Sequence, residues 1–231
     1  MKISTFNIQN DFKDYNKEKS IEIIKYLKKN KIDILGMQEV FSKCDNDICE
    51  LIKGNYYIEG KYRFISKLLL NRINEKNPII SKYKIISHNT YHLPHFPSFT
   101  KRVLTHIVIS YNNKEISIYN THLEVDNDYV KIKQLDKIEQ IIKEDNRPII
   151  LMGDFNLKNN NDIFNSFVSD LEKLNIKRIS LNEKTFKKSS YSREIDHIFI
   201  SNNFKLKSKE VVKNLDISDH YPVIVDIELK Y

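Results

Sequence analysis

The sequence is short of the residues and patterns that mark several classes of protein. It has two cysteines, four glycines and five prolines among 231 residues. No apolar run approaches the ~18–20 residues of a membrane-spanning helix, and Met1 to Thr5 lack the apolar segment and cleavage site of a signal peptide. These absences exclude collagen-like, coiled-coil, disordered and membrane-spanning proteins.

The scarce cysteines indicate a compartment. Cys44 and Cys49 do not have the spacing of a metal site. With no signal peptide in view, we expect them to be reduced thiols of a cytoplasmic protein. A chain of this length can bury a core without disulfide bonds or a structural metal.

The charge favours a polyanionic partner, but only slightly. Thirty-eight basic and thirty-one acidic residues give a net charge of +7, which suits nucleic acid or an anionic membrane surface. Arginine accounts for six of the basic residues, and lysine is the weaker choice for bidentate phosphate recognition. Abundant Lys, Asn, Ile and Tyr together are also what an AT-rich genome produces.

The chain has no Pro-, Gly- or Ser-rich linker and no internal repeat, so we expect a single domain over residues 1–231. Apolar periodicity predicts helices at Lys17–Lys29, Ser42–Ile52, Asp128–Lys143 and Asp162–Leu174. Strand-like segments outnumber these helices, and the turn Asn112-Asn113-Lys114 predicts a hairpin. The pattern favours an α/β protein with mixed sheets, while the number of sheets stays open.

Polar side chains interrupt or end apolar strands at five places. They are Asn7, Glu39, the pair Asp154 and Asn156, Asp196, and the pair Asp219 and His220. A carboxylate at the end of a buried strand is costly unless a partner satisfies it. Mg²⁺ prefers carboxylate and amide oxygens and would relieve the repulsion between them. Any one of these residues could be a turn or capping residue, but five places together predict a site in one crevice.

Six short motifs span almost the whole chain. They are Phe6-Asn7-Ile8, Met37-Gln38-Glu39-Val40, Asn120-Thr121-His122-Leu123, Gly153-Asp154-Phe155-Asn156, Ile195-Asp196-His197-Ile198 and Ser218-Asp219-His220. In this order the chain resembles the endonuclease/exonuclease/phosphatase superfamily, which includes pancreatic deoxyribonuclease, exonuclease III, neutral sphingomyelinases and inositol polyphosphate 5-phosphatases. The Gly-Asp-Phe-Asn and Ser-Asp-His motifs are the most specific.

The resemblance implies a deoxyribonuclease I-like fold of the α/β (α+β) class, a four-layer sandwich of two mixed β-sheets flanked by helices. It also implies phosphoester hydrolysis with one or two Mg²⁺ ions, for which Mn²⁺ can substitute. The implied catalytic residues are His122, Asp154, Asn156, Asp196 and His220. The implied metal-site residues are Glu39, Asn7 and Asp219, and the implied substrate contacts are Arg102 and Asn77.

The resemblance also implies roles for individual site residues, some of which leave two alternatives open. Asp154 and Asn156 would orient or deprotonate the attacking water, and Asp196 would pair with a histidine. Asp219 would either fix His220 or reach a second metal position. His122 matches the deoxyribonuclease, sphingomyelinase and tyrosyl-DNA phosphodiesterase branches and would assist the leaving group or stabilise charge. The general base stays open.

Two substrate contacts rest on position alone. Arg102 would either approach the substrate phosphate or only anchor the end of a loop. Asn77 stands where the family often has a Gly-Asn pair, but Lys76 replaces the glycine.

The segment Ser87–Lys101 contains three histidines, two prolines and three aromatic residues. We predict that this segment is a loop that borders the crevice and helps to select the substrate.

The substrate itself has two interpretations. The motif wording is nearest to the tyrosyl-DNA phosphodiesterase branch, which favours a nuclease or DNA-end-processing enzyme that acts as a monomer on nucleic acid. The alternative is a sphingomyelinase-like or inositol-phosphate-type phosphoesterase that acts on a lipid or small molecule. A non-catalytic binding module is disfavoured, because the set of site residues from Asn7 to His220 is intact.

Overall fold

The computed structural model describes residues 1–9, 17–40, 47–48, 52, 55–60, 76–98, 101–188 and 194–230. Within these ranges lie the helices α1 (Lys17–Lys29), α2 (Asp128–Lys143) and α3 (Asp162–Lys173). The strands are β1 (Lys2–Asn7), β2 (Ile34–Gln38), β3 (Tyr56–Ile58), β4 (Ile79–Ser81), β5 (Ile85–His92), β6 (Val103–Tyr111), β7 (Lys114–His122), β8 (Ile149–Asp154), β9 (Ile176–Arg178), β10 (Asp196–Ser201), β11 (Phe204–Val211) and β12 (Val223–Leu229).

These strands form two six-stranded sheets. The first sheet has the order β11-β12-β1-β2-β4-β3, and the second has the order β5-β6-β7-β8-β10-β9. Each sheet contains one parallel pair, β1 with β2 and β7 with β8. Parallel neighbours require a crossover connection, and the crossovers run through α1 and α2. Both sheets are therefore mixed, as predicted.

The apolar residues form three buried layers. Ile34 of β2 belongs to the core between the two sheets, whereas the next residue, Leu35, packs in the core beneath α1. This alternation follows from the two-residue side-chain period of a strand. On the other side of the molecule, α2 and α3 cover the second sheet, where Ile138 and Phe164 share a core with Phe199. The order helix, sheet, sheet, helix confirms the predicted four-layer sandwich.

Polar side chains also join the two sheets. Gln38 of β2 donates from Nε2 to Oδ1 of Asn120 on β7, at 2.7 Å. Asn120 in turn donates from Nδ2 to the carbonyl oxygens of Met37 and Pro78, at 2.8 and 3.1 Å. A Cβ at Gly36 would lie 2.9 Å from Cγ of Asn120, so the glycine permits this close approach.

Local sequence explains several element ends. The side chains of Asn127 and Asn161 accept hydrogen bonds from backbone amides at the starts of α2 and α3, the usual role of an N-cap asparagine. Asn112 and Asn113 form the two-residue loop between β6 and β7, with φ values of 51° and 59°. Positive φ at both positions is typical of a type I′ hairpin turn, and the predicted hairpin is confirmed.

Some predicted elements differ from the structure. The strands β3 and β9 have three residues each and are too short to show a period, so the sequence does not predict them. The predicted loop Ser87–Lys101 begins within β5, which continues to His92. The predicted helix Ser42–Ile52 falls mostly outside the described residues. In the part of the chain that the structure describes, no helix has the length and apolarity to cross a membrane.

Candidate active site

The candidate site lies where the parallel strand pairs of both sheets end. Asn7 ends β1, and Glu39 directly follows β2. His122 and Asp154 end β7 and β8 and pair with each other in the strand register. The antiparallel neighbour β10 begins at Asp196, which pairs with Asp154. Strand direction therefore brings residues far apart in sequence to one edge of the sandwich.

Asn7 connects the site residues of the two sheets. Its Nδ2 donates to Oε1 of Glu39 and to Oδ2 of Asp154, each at 2.9 Å. Its Oδ1 accepts from the backbone amide of Gln9, and its carbonyl oxygen accepts from the Ser218 hydroxyl. Asn7 thus separates two carboxylates and holds both in place.

Glu39 occupies a strained position. Its φ is 57°, in the left-handed region that non-glycine residues adopt at a cost of about 1–3 kcal/mol. The Glu39 side chain is 30% exposed, whereas that of Asp154 is 2% exposed. The strain directs a solvent-accessible carboxylate toward buried polar groups, which is typical of functional sites.

Two histidines converge on one carboxylate oxygen. Nε2 of His122 and Nε2 of His220 each lie 3.6 Å from Oδ2 of Asp154. Nε2 of His122 is also 3.9 Å from Oε1 of Glu39. The structure therefore brings both predicted histidines to the same small region, although 98 residues separate them in the chain.

Carboxylates surround His220. Its Nδ1 lies 2.8 Å from Oδ2 of Asp196 in a buried hydrogen bond. Burial alone would lower the pKa of His220, but the charges of Asp196 and Asp154 outweigh burial and raise the pKa to about 10. A proton on each nitrogen makes His220 an imidazolium at neutral pH.

The same cluster keeps Asp154 ionised. Burial favours the neutral acid, but the nearby rings of His220 and His122 and hydrogen bonds from Asn7 and the backbone amide of Asn156 hold the pKa of Asp154 below its usual value. The site therefore offers an anionic oxygen and a cationic ring side by side.

His122 has a different partner. Nδ1 of His122 lies 2.8 Å from Nη1 of Arg102, and both side chains are buried. Arg102 directly precedes β6 and lies behind the ring of His122, on the side opposite Asp154 and Glu39. The predicted direct contact between Arg102 and substrate stays a prediction.

The remaining predicted site residues occupy varied places. Asn156, with a φ of 51°, donates from its amide N to Oδ1 of Asp154 at 2.9 Å. Asp219 pairs with Nζ of Lys188 at 2.9 Å, whereas the carboxylate at Nδ1 of His220 is that of Asp196. Asn77 is buried; its side-chain Nδ2 donates to the Val103 carbonyl at 3.4 Å, and its backbone amide donates to the Gly60 carbonyl at 3.1 Å.

Three further side chains support the site, and the sequence motifs include two of them, Asn120 and Ser218, but not Thr185. Thr185 Oγ1 accepts from the amides of Ile195 and Asp196, at 3.1 Å each, and fixes the start of β10. The Ser218 hydroxyl secures the segment before β12, and Asn120 joins the sheets. Asn120 and Ser218 belong to the sequence motifs, whereas the sequence carries no comparable signal for Thr185.

The donor set fits a hard divalent cation. Ligand atoms of Asp154, Asp196 and His220 lie within 4.8 Å of one another, and Asn7 links Glu39 to this group. Oδ1 of Asp196 is buried without a hydrogen-bond partner among the described residues. Nδ1 of His220 is already occupied by Asp196, so the available ligands are carboxylate oxygens, as Mg²⁺ prefers.

A groove lies between the edge strands of the two sheets. The groove has a volume of about 570 Å³. It is lined by residues 57–60, which include part of β3, and by His88, Asn89, Thr90 and His92 of β5. The Gly60 carbonyl accepts a hydrogen bond from the backbone amide of Asn77. This bond connects the groove to a predicted site residue. Part of the predicted specificity segment thus lines a cavity of ligand size.

Comparison with known proteins agrees with this geometry. The sequence profile of the endonuclease/exonuclease/phosphatase family matches residues 4–220. No curated protein matches the sequence. An endonuclease/exonuclease/phosphatase family protein from Bacteroides thetaiotaomicron is 20% identical with a TM-score of 0.83, covering 100% of this chain and 98% of that chain.

Two further solved structures carry more specific names. The mannosyl-6-phosphatase Bt3783 of B. thetaiotaomicron VPI-5482 is 20% identical with a TM-score of 0.80, covering 99% of this chain and 100% of its own. A D. rerio TDP2 humanized by 14 mutations is 14% identical with a TM-score of 0.77, covering 99% of this chain and 98% of its own. At these identities the likeness establishes the fold.

The fold and the family match place the protein in a class of phosphoester hydrolases. Because the profile covers residues 4–220, the chain belongs to the endonuclease/exonuclease/phosphatase family. The resemblance carried by the six sequence motifs is therefore confirmed.

Proposed function

We propose that the protein is a Mg²⁺-dependent phosphodiesterase acting on nucleic acid, as a nuclease or a DNA-end-processing enzyme. The observation that carries this proposal is the approach of His122 and His220 to Oδ2 of Asp154, each at 3.6 Å. The net charge of +7 supports a polyanionic substrate. The proposal includes a monomeric, cytoplasmic enzyme, as expected from the sequence.

Glu39 is the proposed principal metal ligand, with Asp154 close by and Asp219 at a second position. Asn7 orients Glu39 and Asp154 through its amide. When bound, Mg²⁺ would neutralise charge on the phosphate oxygens. Mn²⁺ is expected to substitute because it accepts the same oxygen ligands.

The chain's own residues would then position the reaction. The imidazolium of His220 would bind a phosphate oxygen, since it carries positive charge at neutral pH. Asp154 and Asn156 would hold the attacking water in line with the leaving oxygen. Asp196 would keep the ring of His220 oriented through the bond to Nδ1.

A small-molecule phosphoester is the second candidate substrate. The likeness to a mannosyl-6-phosphatase over the whole chain and the groove of about 570 Å³ favour it, because such a volume suits a compact ligand. A sphingomyelinase-like or inositol-phosphate-type activity belongs to this second candidate.

The test is a metal-dependence assay on a graded set of substrates. Activity is measured on an aryl phosphodiester, nicked plasmid, an oligonucleotide end-linked to tyrosine through a phosphodiester, sphingomyelin, and a sugar phosphate. EDTA should abolish activity and added Mg²⁺ should restore it. The proposal expects the highest kcat/KM on one of the two DNA substrates.

A Glu39→Gln variant tests the metal site, because it removes the charge at nearly constant shape. Its activity should fall by more than about 100-fold, with its cooperative unfolding transition intact. Glu115→Gln is the matched control, since Glu115 lies at the surface in an ion pair with Arg147. Full activity in EDTA would contradict the metal requirement, and activity confined to the sugar phosphate or the lipid would favour the second candidate.

A further inference from the structure

The chemistry of Arg102 and His122 determines which of the two side chains donates the hydrogen bond between them. Nη1 of Arg102 lies 2.8 Å from Nδ1 of His122. A guanidinium group carries only donors and does not lose its proton in proteins, so Arg102 cannot accept a hydrogen bond. Nδ1 of His122 must therefore be the acceptor and carries no hydrogen.

The opposite nitrogen of the ring consequently carries the hydrogen. Nε2 of His122 faces two carboxylate oxygens, Oδ2 of Asp154 at 3.6 Å and Oε1 of Glu39 at 3.9 Å. These distances are too long for hydrogen bonds, but acceptors on this side agree with an N–H at Nε2. The ring thus presents Nε2–H toward the site.

Glu124 supplies a counter-charge for buried Arg102. Glu124 is 5% exposed, and its carboxylate accepts from the Ser98 hydroxyl at 2.6 Å. Burial would raise the pKa of Glu124, but the Ser98 bond, backbone amides and the charge of Arg102 hold the pKa below its usual value. The negative charge of Glu124 offsets part of the free-energy cost of burying the guanidinium.

We propose that Arg102 is a positioning residue that keeps hydrogen off Nδ1 of His122, so that Nε2–H of His122 is a fixed donor to the substrate phosphate. This inference rests on the proposed phosphodiesterase function for its catalytic consequence. Arg102 acts on the reaction through His122 and not through the substrate. The site would then contain two histidines with different partners at Nδ1, the Arg102 guanidinium at His122 and the Asp196 carboxylate at His220.

The competing role is the direct contact between Arg102 and substrate that the sequence suggests. A direct contact would act independently of His122 and would raise KM when it is lost. A positioning role requires His122, so its loss would lower kcat and would cost nothing more once His122 is gone. A double-mutant cycle separates the two roles.

The first measurement is made without substrate. In protein with ¹⁵N-labelled histidine, long-range ¹H–¹⁵N correlation should show a hydrogen on Nε2 and none on Nδ1 for His122. The His122→Gln variant assigns the signals. Because the measurement needs no turnover, its outcome is distinct from failure of the proposed function. A hydrogen on Nδ1 of His122 in the wild-type protein overturns the proposal, whatever the variants do.

The second measurement uses the aryl phosphodiester and two replacements. Arg102→Met should lower kcat by about 10- to 100-fold with little change in KM. Arg102→Lys retains a donor and should recover part of the loss. Arg147→Met is the control, since Arg147 is a 41% exposed surface residue with its own ion pairs.

The cycle is completed by the double variant Arg102→Met, His122→Gln. The proposal expects the double variant to be as active as His122→Gln alone. Additive losses, or a rise in KM at unchanged kcat in Arg102→Met, would instead assign Arg102 to direct substrate binding. Should Arg102→Met fail to fold, Arg102→Lys and the wild-type spectrum still decide the question.

Discussion

His122 and His220 approach the same oxygen at the same distance, yet different groups lie behind their rings. Each Nε2 is 3.6 Å from Oδ2 of Asp154. Nδ1 of His122 contacts an arginine, whereas Nδ1 of His220 contacts the carboxylate of Asp196. The two rings therefore have different partners at Nδ1, an arginine donor at His122 and a carboxylate at His220, so neighbours determine the role of a histidine more than its distance from the site does.

Removing the cationic member of the pair should have the largest effect. His220→Gln keeps a polar side chain but removes the positive charge beside Asp154, so kcat should fall by about 10²–10⁴-fold. Steady-state kinetics on the aryl phosphodiester measures the loss. A decrease below tenfold would mean that the charge on His220 contributes little to the reaction.

Changing the group behind His220 should have a smaller effect. Asp196→Asn keeps an oxygen near Nδ1 but removes the charge that stabilises the imidazolium, so kcat should fall by about 10- to 100-fold. Asp216→Asn is the matched control, because the side chain of Asp216 is 98% exposed and pairs with Nζ of Lys187 at 2.9 Å. Equal activities for the two variants would contradict the pairing argument.

A change in the packing between the two sheets should affect His122 and His220 together. His122 belongs to the second sheet, whereas His220 precedes β12 of the first. Gly36→Ala would place a Cβ 2.7 Å from Cε of Met152 and 2.9 Å from Cγ of Asn120. Such overpacking costs about 1–3 kcal/mol, measured by urea unfolding, with a parallel loss of kcat. Ser110→Ala, at an exposed position on β6, should change neither quantity.

A third histidine, outside the site, should affect stability but not activity. His106 of β6 stacks on Tyr119 with ring centroids 4.2 Å apart. Burial lowers its pKa to about 4, against the opposing charge of Asp145. The unfolded chain binds this proton below about pH 6.5, so the free energy of unfolding should fall as pH decreases from about 6.5 to 4 and level off below.

The measurement for His106 is urea unfolding at several pH values. His106→Phe keeps an aromatic ring in the stack and removes the titrating nitrogen, so the fall in stability between pH 6.5 and pH 4 should become shallower. Each unit of pKa lowering corresponds to at most about 1.4 kcal/mol, and solvent reduces that figure. An unchanged slope would place the pH dependence in other groups.

The sequence predicts the fold well where the pattern is long. The helix Lys17–Lys29 and the hairpin at Asn112 and Asn113 appear where periodicity and turn chemistry put them. β3 and β9 are not predicted, because three residues cannot display a period and their pairing partners lie elsewhere in the chain. The motifs also place Asn7, Glu39, His122, Asp154, Asp196 and His220 at strand ends.

What the sequence cannot supply is the partner of each side chain. Arg102 lies 20 residues from His122 and Asp196 lies 24 residues from His220, and neither spacing shows which nitrogen is contacted. Thr185 contributes one oxygen to the start of β10 from a segment without a recognisable pattern. These contacts depend on how the strands are ordered in three dimensions, which local propensity does not encode.

The side-chain amide of Asn7 affects how the site would bind a cation. Because one neutral nitrogen donates to both Glu39 and Asp154, the side chain of Asn7 fixes the positions of the two carboxylates relative to each other. The entropic cost of bringing these carboxylates together is met during folding, so the proposed metal binding would require little rearrangement. A cation bound as proposed would meet carboxylates that the fold already holds in position.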